Sequence, residues 1–371
     1  MPRSRVLSLL TLLTLLMFTP NSWAAPRVVV SILPLHALVA EVMQGVAQPQ
    51  LLLDGGSSPH SYALRPSQAR QLSQAELVVW MGAGLESFLV KPLQTLGKQT
   101  TLLTLHQVPG LALLENRQPL HWLEQSAVHD HDAHQDHAAD TDHDLDAHQD
   151  HAADTDHDHD AHQDHAADTD HDHDAHQDHT ADTVHDHDAH QDHTGHDHGK
   201  LDLHLWLDPQ QAILMVHAVA KQLSQLDAAN ATRYQQNAQH LVERLEQLTL
   251  RLATQLEPVR QRPYLVFHDA YHYFERRFGL ATTAALTLNP ESRPSAKAMQ
   301  QVRQLIQRQG AVCLFSEPQF EPAMVQAIAR DTGLRTAELD PLGSQLQPGI
   351  GAYFTLLTNL ANALSNCLTT P

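Results

Sequence analysis

Residues 231–256 read ATRYQQNAQHLVERLEQLTLRLATQL, and the reading of this stretch divides the rest of the chain. Tyr234, Ala238, Leu241, Leu245, Leu248, Leu252 and Leu256 recur at steps of three and four, on one face of an α-helix. At 1.5 Å per residue such a helix spans roughly 39 Å, longer than one small lobe. Asp227 precedes it and Pro258 closes it. A coiled-coil segment would have the same periodicity. A single apolar face set between two α/β halves reads instead as a rigid strut, a linker helix over 231–257.

Outward from the strut, strands and helices alternate. On the N-terminal side the sequence predicts strands at 27–32, 50–53 and 77–81 and helices at 35–44 and 67–74. On the C-terminal side it predicts strands at 264–267, 284–288, 311–315 and 336–339. Helices are expected there at 270–278, 295–309, 322–331 and 353–368, with Ser295 as the N-cap and Gly310 as the stop of the second. This alternation implies α/β architecture with mostly parallel sheets, in two lobes. The first lobe takes residues 25–128 and 200–230, and the second takes 258–371. Parallel sheets bind ligands beyond the carboxyl ends of their strands, so a cleft between the lobes is the expected site.

The first lobe is interrupted at 129–199 by a histidine–aspartate tract built on a fourteen-residue repeat. His134-Gln135-Asp136-His137-Ala138-Ala139-Asp140-Thr141 recurs from His148 and His162, and with changes from His176 and His190. The tract holds 21 of the chain's 30 histidines and 23 of its 43 acidic residues. It has no aliphatic run with which to offset its ordering entropy, so the sequence predicts disorder in the absence of metal. Aspartate alone would make a solvated linker. Neutral imidazoles at this density add affinity for borderline transition metals. The tract contributes −23 to a formal charge of −20, leaving +3 for everything else, so the acidity is local. No basic stripe with interleaved aromatics is present, which argues against nucleic acid as a partner.

Residues 1–24 read as an export signal. Arg3 and Arg5 precede an apolar run from Val6 to Phe18, followed by Pro20 and the small-residue site Ser22-Trp23-Ala24. A run of 13 residues is too short to span a bilayer. No cysteine at the cleavage site offers a lipid anchor. The expected product is a soluble periplasmic protein, cleaved near Ala24 and not membrane-spanning. Without signal and tract about 275 residues remain, enough for two domains with real cores. The two cysteines, Cys313 and Cys367, fall in one lobe of an exported chain, so they are a disulfide candidate, with two buried thiols as the alternative.

Of the nine histidines outside the tract, three stand where such sheets place ligands. His60 follows Gly55-Gly56-Ser57-Ser58-Pro59, just past the 50–53 strand. His204 precedes a helix that has Asp208 as its N-cap and Pro209 at its first position. His268 ends the 264–267 strand. His272 lies four residues after His268 but does not share a helix with it, His36 opens the first helix, and His217 and His240 sit in helical patterns facing solvent. Glu317 is either a carboxylate that orients a ligand imidazole or a helix N-terminal residue before Pro318. Asp269 either holds backbone amides or touches the site.

Four linked motifs now bear on the family. They are Ser58-Pro59-His60-Ser61-Tyr62-Ala63-Leu64-Arg65-Pro66-Ser67, His204-Leu205-Trp206-Leu207-Asp208-Pro209, Phe267-His268-Asp269-Ala270-Tyr271, and Phe315-Ser316-Glu317-Pro318-Gln319-Phe320. Together, and in this order, they resemble the metal-binding receptors of the cluster A-I ABC importers. The zinc receptors of that family also carry a histidine- and acid-rich insert between the first and second ligands. The resemblance covers essentially the whole mature chain. It implies two α/β lobes joined by a long helix, zinc in the cleft, and His60, His204 and His268 as ligands. It also implies a Cys313–Cys367 disulfide, and as partners a membrane permease with its cytoplasmic ATPase, served by a monomeric receptor. The family's fourth ligand varies. Pro59 removes the option of a glutamate beside the first histidine, and Asp340 in Leu339-Asp340-Pro341-Leu342 matches the carboxylate at the end of the last strand.

The donor set points the same way. Three neutral imidazoles and one oxygen suit tetrahedral Zn2+. Manganese receptors of the family place a carboxylate where His268 stands, as a harder ion requires, although nitrogen donors alone do not exclude copper or nickel. Three histidines and a water would also serve a zinc hydrolase. Against that, the chain has no His-Glu-x-x-His helix and no nucleophile elbow, and a metal whose fourth position is closed by Asp340 has no activated water. A zinc store that used the tract alone would not need a two-lobed body.

Overall fold

The computed structural model describes residues 25–95, 100–117, 200–287 and 296–369. The export segment, the histidine–aspartate tract, Leu288 and the expected cap Ser295 lie outside the described residues.

Hydrophobic strands buried on both faces need a helix layer on each side, and two such sheets form. In the first, β1 (Val28–Val30), β2 (Gln50–Leu51), β3 (Leu77–Trp80) and β4 (Thr101–Thr104) are ordered β2-β1-β3-β4, all parallel. Its crossovers are α1 (Leu33–Val42), α2 (Pro66–Gln74) and α3 (Ser87–Thr95). β1 and β3 are buried throughout, which is why their sequences are continuous apolar runs rather than alternations. A two-stranded antiparallel ribbon pairs β5 (Leu114–Glu115), which precedes the tract in sequence, with β6 (Leu201–Asp202), which follows it. α4 (Pro209–Leu226) follows, then the strut α5 (Ala231–Leu256).

The second sheet contains β7 (Tyr264–His268), β8 (Thr282–Thr287), β9 (Cys313–Ser316) and β10 (Arg335–Glu338), with α6 (His272–Phe278), α7 (Ala296–Gln309), α8 (Ala323–Thr332) and α9 (Ala352–Thr369). Its order is β10-β9-β7-β8, also parallel throughout. Gly279 and Gly333 end α6 and α8 in the left-handed conformation, at φ 67° and 74°, which a side chain would oppose. Cys313 of β9 and Cys367 of α9 form a disulfide. Closing a loop over a sequence separation of 54 residues stabilises the fold by about 4 kcal/mol in the chain-entropy model.

The strut buries Tyr234, Ala238, Leu241, Val242, Leu245, Leu248, Leu252 and Leu256. This face packs on α1 and α4 of the first lobe and on α9 of the second, so a single helix supports both. Midway along it, the Arg244 guanidinium stacks on the Phe354 ring at 4.2 Å and donates to buried Glu41 of α1 at 2.7 Å. Glu41 also accepts from Gly351 N at 3.0 Å, and so bridges the lobes. No helix among the described residues is long and apolar enough to cross a membrane.

Four elements were not predicted, two of them the ribbon strands β5 and β6. α3 contains Pro92, which breaks the helical reading, and β4 is a half-exposed edge strand, Thr-Leu-Leu-Thr, with no periodicity. The loop between β3 and α3 is held by Glu86. This carboxylate is fully buried and accepts from Ser31 Oγ, from Met81 N at 3.1 Å and from Gly82 N at 2.8 Å. Burial pushes it up to about 7, despite these donors.

Candidate metal centre

Three histidines converge at the carboxyl ends of the sheets. His60, His204 and His268 each offer a ring nitrogen, and these atoms lie within 4.8 Å of one another. The ring centroids are separated by 5.7 Å (His60–His204), 5.4 Å (His60–His268) and 5.0 Å (His204–His268). Tetrahedral zinc with Zn–N bonds of about 2.0–2.1 Å needs donors roughly 3.3 Å apart, a small inward movement from here. The cavity they line, with Pro59, Trp206, Phe320 and Leu342 among its walls, holds about 10 Å³ for a water-sized sphere. That is room for an ion or one water.

Each ring is set by local sequence. His204 is the most tightly defined. Asp202 Oδ1 accepts from His204 N at 2.9 Å and lies 2.7 Å from His204 Nδ1, so Nδ1 donates and Nε2 is left with its lone pair. Asp202 is itself buried and sits on the ribbon strand β6. After His204, Asp208 caps α4 through Gln210 N at 2.8 Å and takes a two-pronged contact from Arg277 of the second lobe at 2.7 and 2.8 Å. The intervening Trp206 donates through Nε1 to Pro341 O at 2.8 Å, also across the lobes.

His268 is the last residue of β7, at a point where chain order reverses between β8 and β9. Glu317, just past the end of β9, places Oε1 3.5 Å from His268 Nδ1. Glu317 is buried, and burial pushes it up to about 8 against the opposing pull of the His204 ring. Of its two sequence readings, the structure has the one in which it faces an imidazole of the cluster, that of His268. Asp269, next along, instead meets Arg117. The guanidinium donates through Nε to Asp269 at 3.0 and 2.9 Å, and through Nη1 to Glu275 at 2.8 Å.

His60 is the most exposed of the three and rides on the loop between β2 and α2. Buried Gln68 clips the base of that loop. Its Nε2 donates to Leu52 O at 2.6 Å and its Oε1 accepts from Arg65 N at 2.8 Å, one contact on either side of His60. The His60 amide donates to Ser58 Oγ at 3.3 Å.

Asp340 is not brought into the cluster. Its Oδ1 accepts from Gln319 Nε2 at 2.9 Å, Leu342 N at 3.1 Å and Gly343 N at 2.9 Å, and its Oδ2 accepts from the Ser344 amide and from Ser344 Oγ at 2.8 Å. The expectation of a ligand there meets a physical obstacle: both oxygens satisfy the amides of the turn that follows. His36 is buried on Pro49 O at 3.0 Å, His217 and His240 are exposed, and His272 opens α6, so none of these four joins the cluster.

With this geometry in place, comparison with known proteins assigns the chain. Residues 28–367 match the family model of ZnuA, described as the periplasmic zinc-uptake complex component A. The chain belongs to the ZnuA family. It is 41% identical, over 95% of its own length and 95% of the relative's, to the high-affinity zinc uptake system protein ZnuA of Brucella abortus (strain 2308). The ZnuA of Yersinia pestis is 33% identical over 95% of each chain. A crystal structure of ZnuA shares the fold at TM-score 0.65 and 22% identity, covering 93% of this chain and all of that one.

In this ZnuA family member the three histidines and Glu317 were legible in the sequence, whereas Asp202, which orients His204, was missed. Asp202 was legible in principle, because Asp202 and His204 are two apart in an extended segment and so project to one side. Arg117 and Gln319 were not legible. Their partners Asp269 and Gly55 lie 152 and 264 residues away.

Proposed function

We propose that this protein captures zinc(II) in the periplasm through His60, His204 and His268 and delivers it to the membrane permease of an ABC importer, whose cytoplasmic ATPase drives uptake. The observation that carries this reading is the convergence of three imidazole nitrogens, from three separate segments, in a cavity the size of an ion. The donor chemistry supports zinc over manganese, because all three donors are nitrogen. Membership of a zinc-uptake family supports a receptor over a hydrolase. Since Asp340 is committed to its own turn, water is the fourth donor in this reading.

The receptor works as a monomer, exported by residues 1–24 and cleaved near Ala24. The tract at 129–199 binds further zinc more weakly, through its 21 imidazoles. Each cleft histidine comes from a different segment, so loss of one leaves an incomplete shell. Zinc titration against a competing chelator, with mass readout, tests the assignment. His204→Ala should lower the affinity of the tight site by several orders of magnitude, and a tight site that survives this substitution refutes the ligand set.

A further inference from the structure

The loop that carries His60 meets the second lobe at an unusually close backbone approach. A Cβ added to Gly55 would lie 2.4 Å from Ser344 Cα and 3.1 Å from Gly343 O, so only glycine fits. The turn it presses on is the one gathered by Asp340 through the amides of Leu342, Gly343 and Ser344. Gln319 joins the two sides. Its Nε2 donates to Gly55 O at 3.3 Å across the cleft and to Asp340 Oδ1 at 2.9 Å within the second lobe. Gln319 also lines the cavity that the three histidines share.

From this seam we infer that Gln319 and Gly55 are positioning residues for His60: they latch its loop onto the Asp340 turn and thereby set how fast zinc leaves the cleft. The inference rests on His60 being a ligand. His204 and His268 are 7% and 3% exposed, at a ribbon and a strand end, each facing a buried carboxylate. His60 is the ligand on a loop, and zinc departs when that loop lifts. Lifting it separates Gly55 from Ser344 and breaks the Gln319 contact to Gly55. Asp340 accordingly has a part in metal holding without touching the metal.

The test uses the full-length chain loaded with one equivalent of zinc and chased with excess strong chelator, the slow release phase reporting the cleft. Gln319→Ala and Gly55→Ala should each speed that phase by about tenfold or more while leaving the association rate within about twofold, since contacts of this kind act mainly on dissociation. Acting on one seam, the two substitutions combined should speed release little beyond the larger single effect. In a His60→Ala background, Gln319→Ala should add nothing. A wild-type release rate in Gln319→Ala, or the same acceleration with and without His60, overturns the latch. A slow phase that survives His60→Ala alone would instead refute the ligand assignment. The metal-free melting temperature of Gln319→Ala should match wild type, and a large drop would reassign Gln319 to fold stability. If Gly55→Ala does not fold, Gln319→Ala alone still decides.

Discussion

Removing the Asp202 carboxylate should cost zinc affinity without removing a ligand. In the structure Asp202 Oδ1 accepts both the main-chain amide and the Nδ1 of His204, at 2.9 and 2.7 Å, in a buried setting. These two bonds fix the ring's rotation and its tautomer, so that Nε2 keeps its lone pair for a metal. Asp202→Ala leaves two buried donors without an acceptor and frees the ring to turn. Partners of this kind are worth about 10- to 100-fold in metal affinity, or roughly 1.4–2.7 kcal/mol. Asp202→Asn keeps one acceptor oxygen but loses the charge that strengthens the imidazole as a donor, so its loss should be the smaller. Competition against a chromophoric chelator, read at the tight site, gives the number directly. The cycle with His204→Ala separates orientation from general damage, because Asp202→Ala should then have no further effect on the metal. An Asp202→Ala protein that binds zinc within twofold of wild type would refute the claim that this carboxylate sets the ligand.

Other expectations follow from the same geometry. Asp340→Ala should weaken zinc less than His60→Ala does, because it loosens a turn and not a metal bond, and equal damage in chelator competition would return Asp340 to the ligand set. Deleting residues 129–199 should leave the fold and the tight site intact while removing several weaker metal equivalents, because long surface insertions cost little loop entropy. In the intact protein those weaker equivalents should be lost by about pH 5, as imidazoles with reference pKa near ~6.5 take up protons. Native mass spectra across pH test both statements. Glu86 gives a stability signature with a definite sign. Its pKa is raised from 4.5 to about 7 by burial, so the folded state holds this proton more tightly than the unfolded one. The resulting stabilisation is complete below about 4.5 and is lost as pH climbs to about 7. Relative to Glu86→Gln, the metal-free wild type should lose roughly 3 kcal/mol across that window in urea denaturation, and a flat difference would show that Glu86 titrates normally.

What the sequence determined by itself is what depends on neighbours in the chain. The apolar runs of β1, β3 and β7 and the single apolar face of α5 are local patterns, and they were enough for two parallel-sheet lobes and a strut. The positions of His60, His204 and His268 after or at strand ends were equally readable. Boundaries moved by a residue or two where burial rather than composition ends an element; α1 starts at Leu33, two residues earlier than its pattern suggested. The tertiary structure decided which polar groups satisfy which. Asp340 lies two residues past β10, where a ligand could stand, yet the amides of 342–344 fold back onto it, and an aspartate just past a strand reads the same in either role. Arg117 reaching Asp269 and Gln319 reaching Gly55 depend on how two lobes are packed across a cleft. Each such contact pairs residues far apart in sequence, and their side chains carry no local sign of the partner, because hydrogen bonds are matched in space and hydrophobic periodicity is matched along the chain.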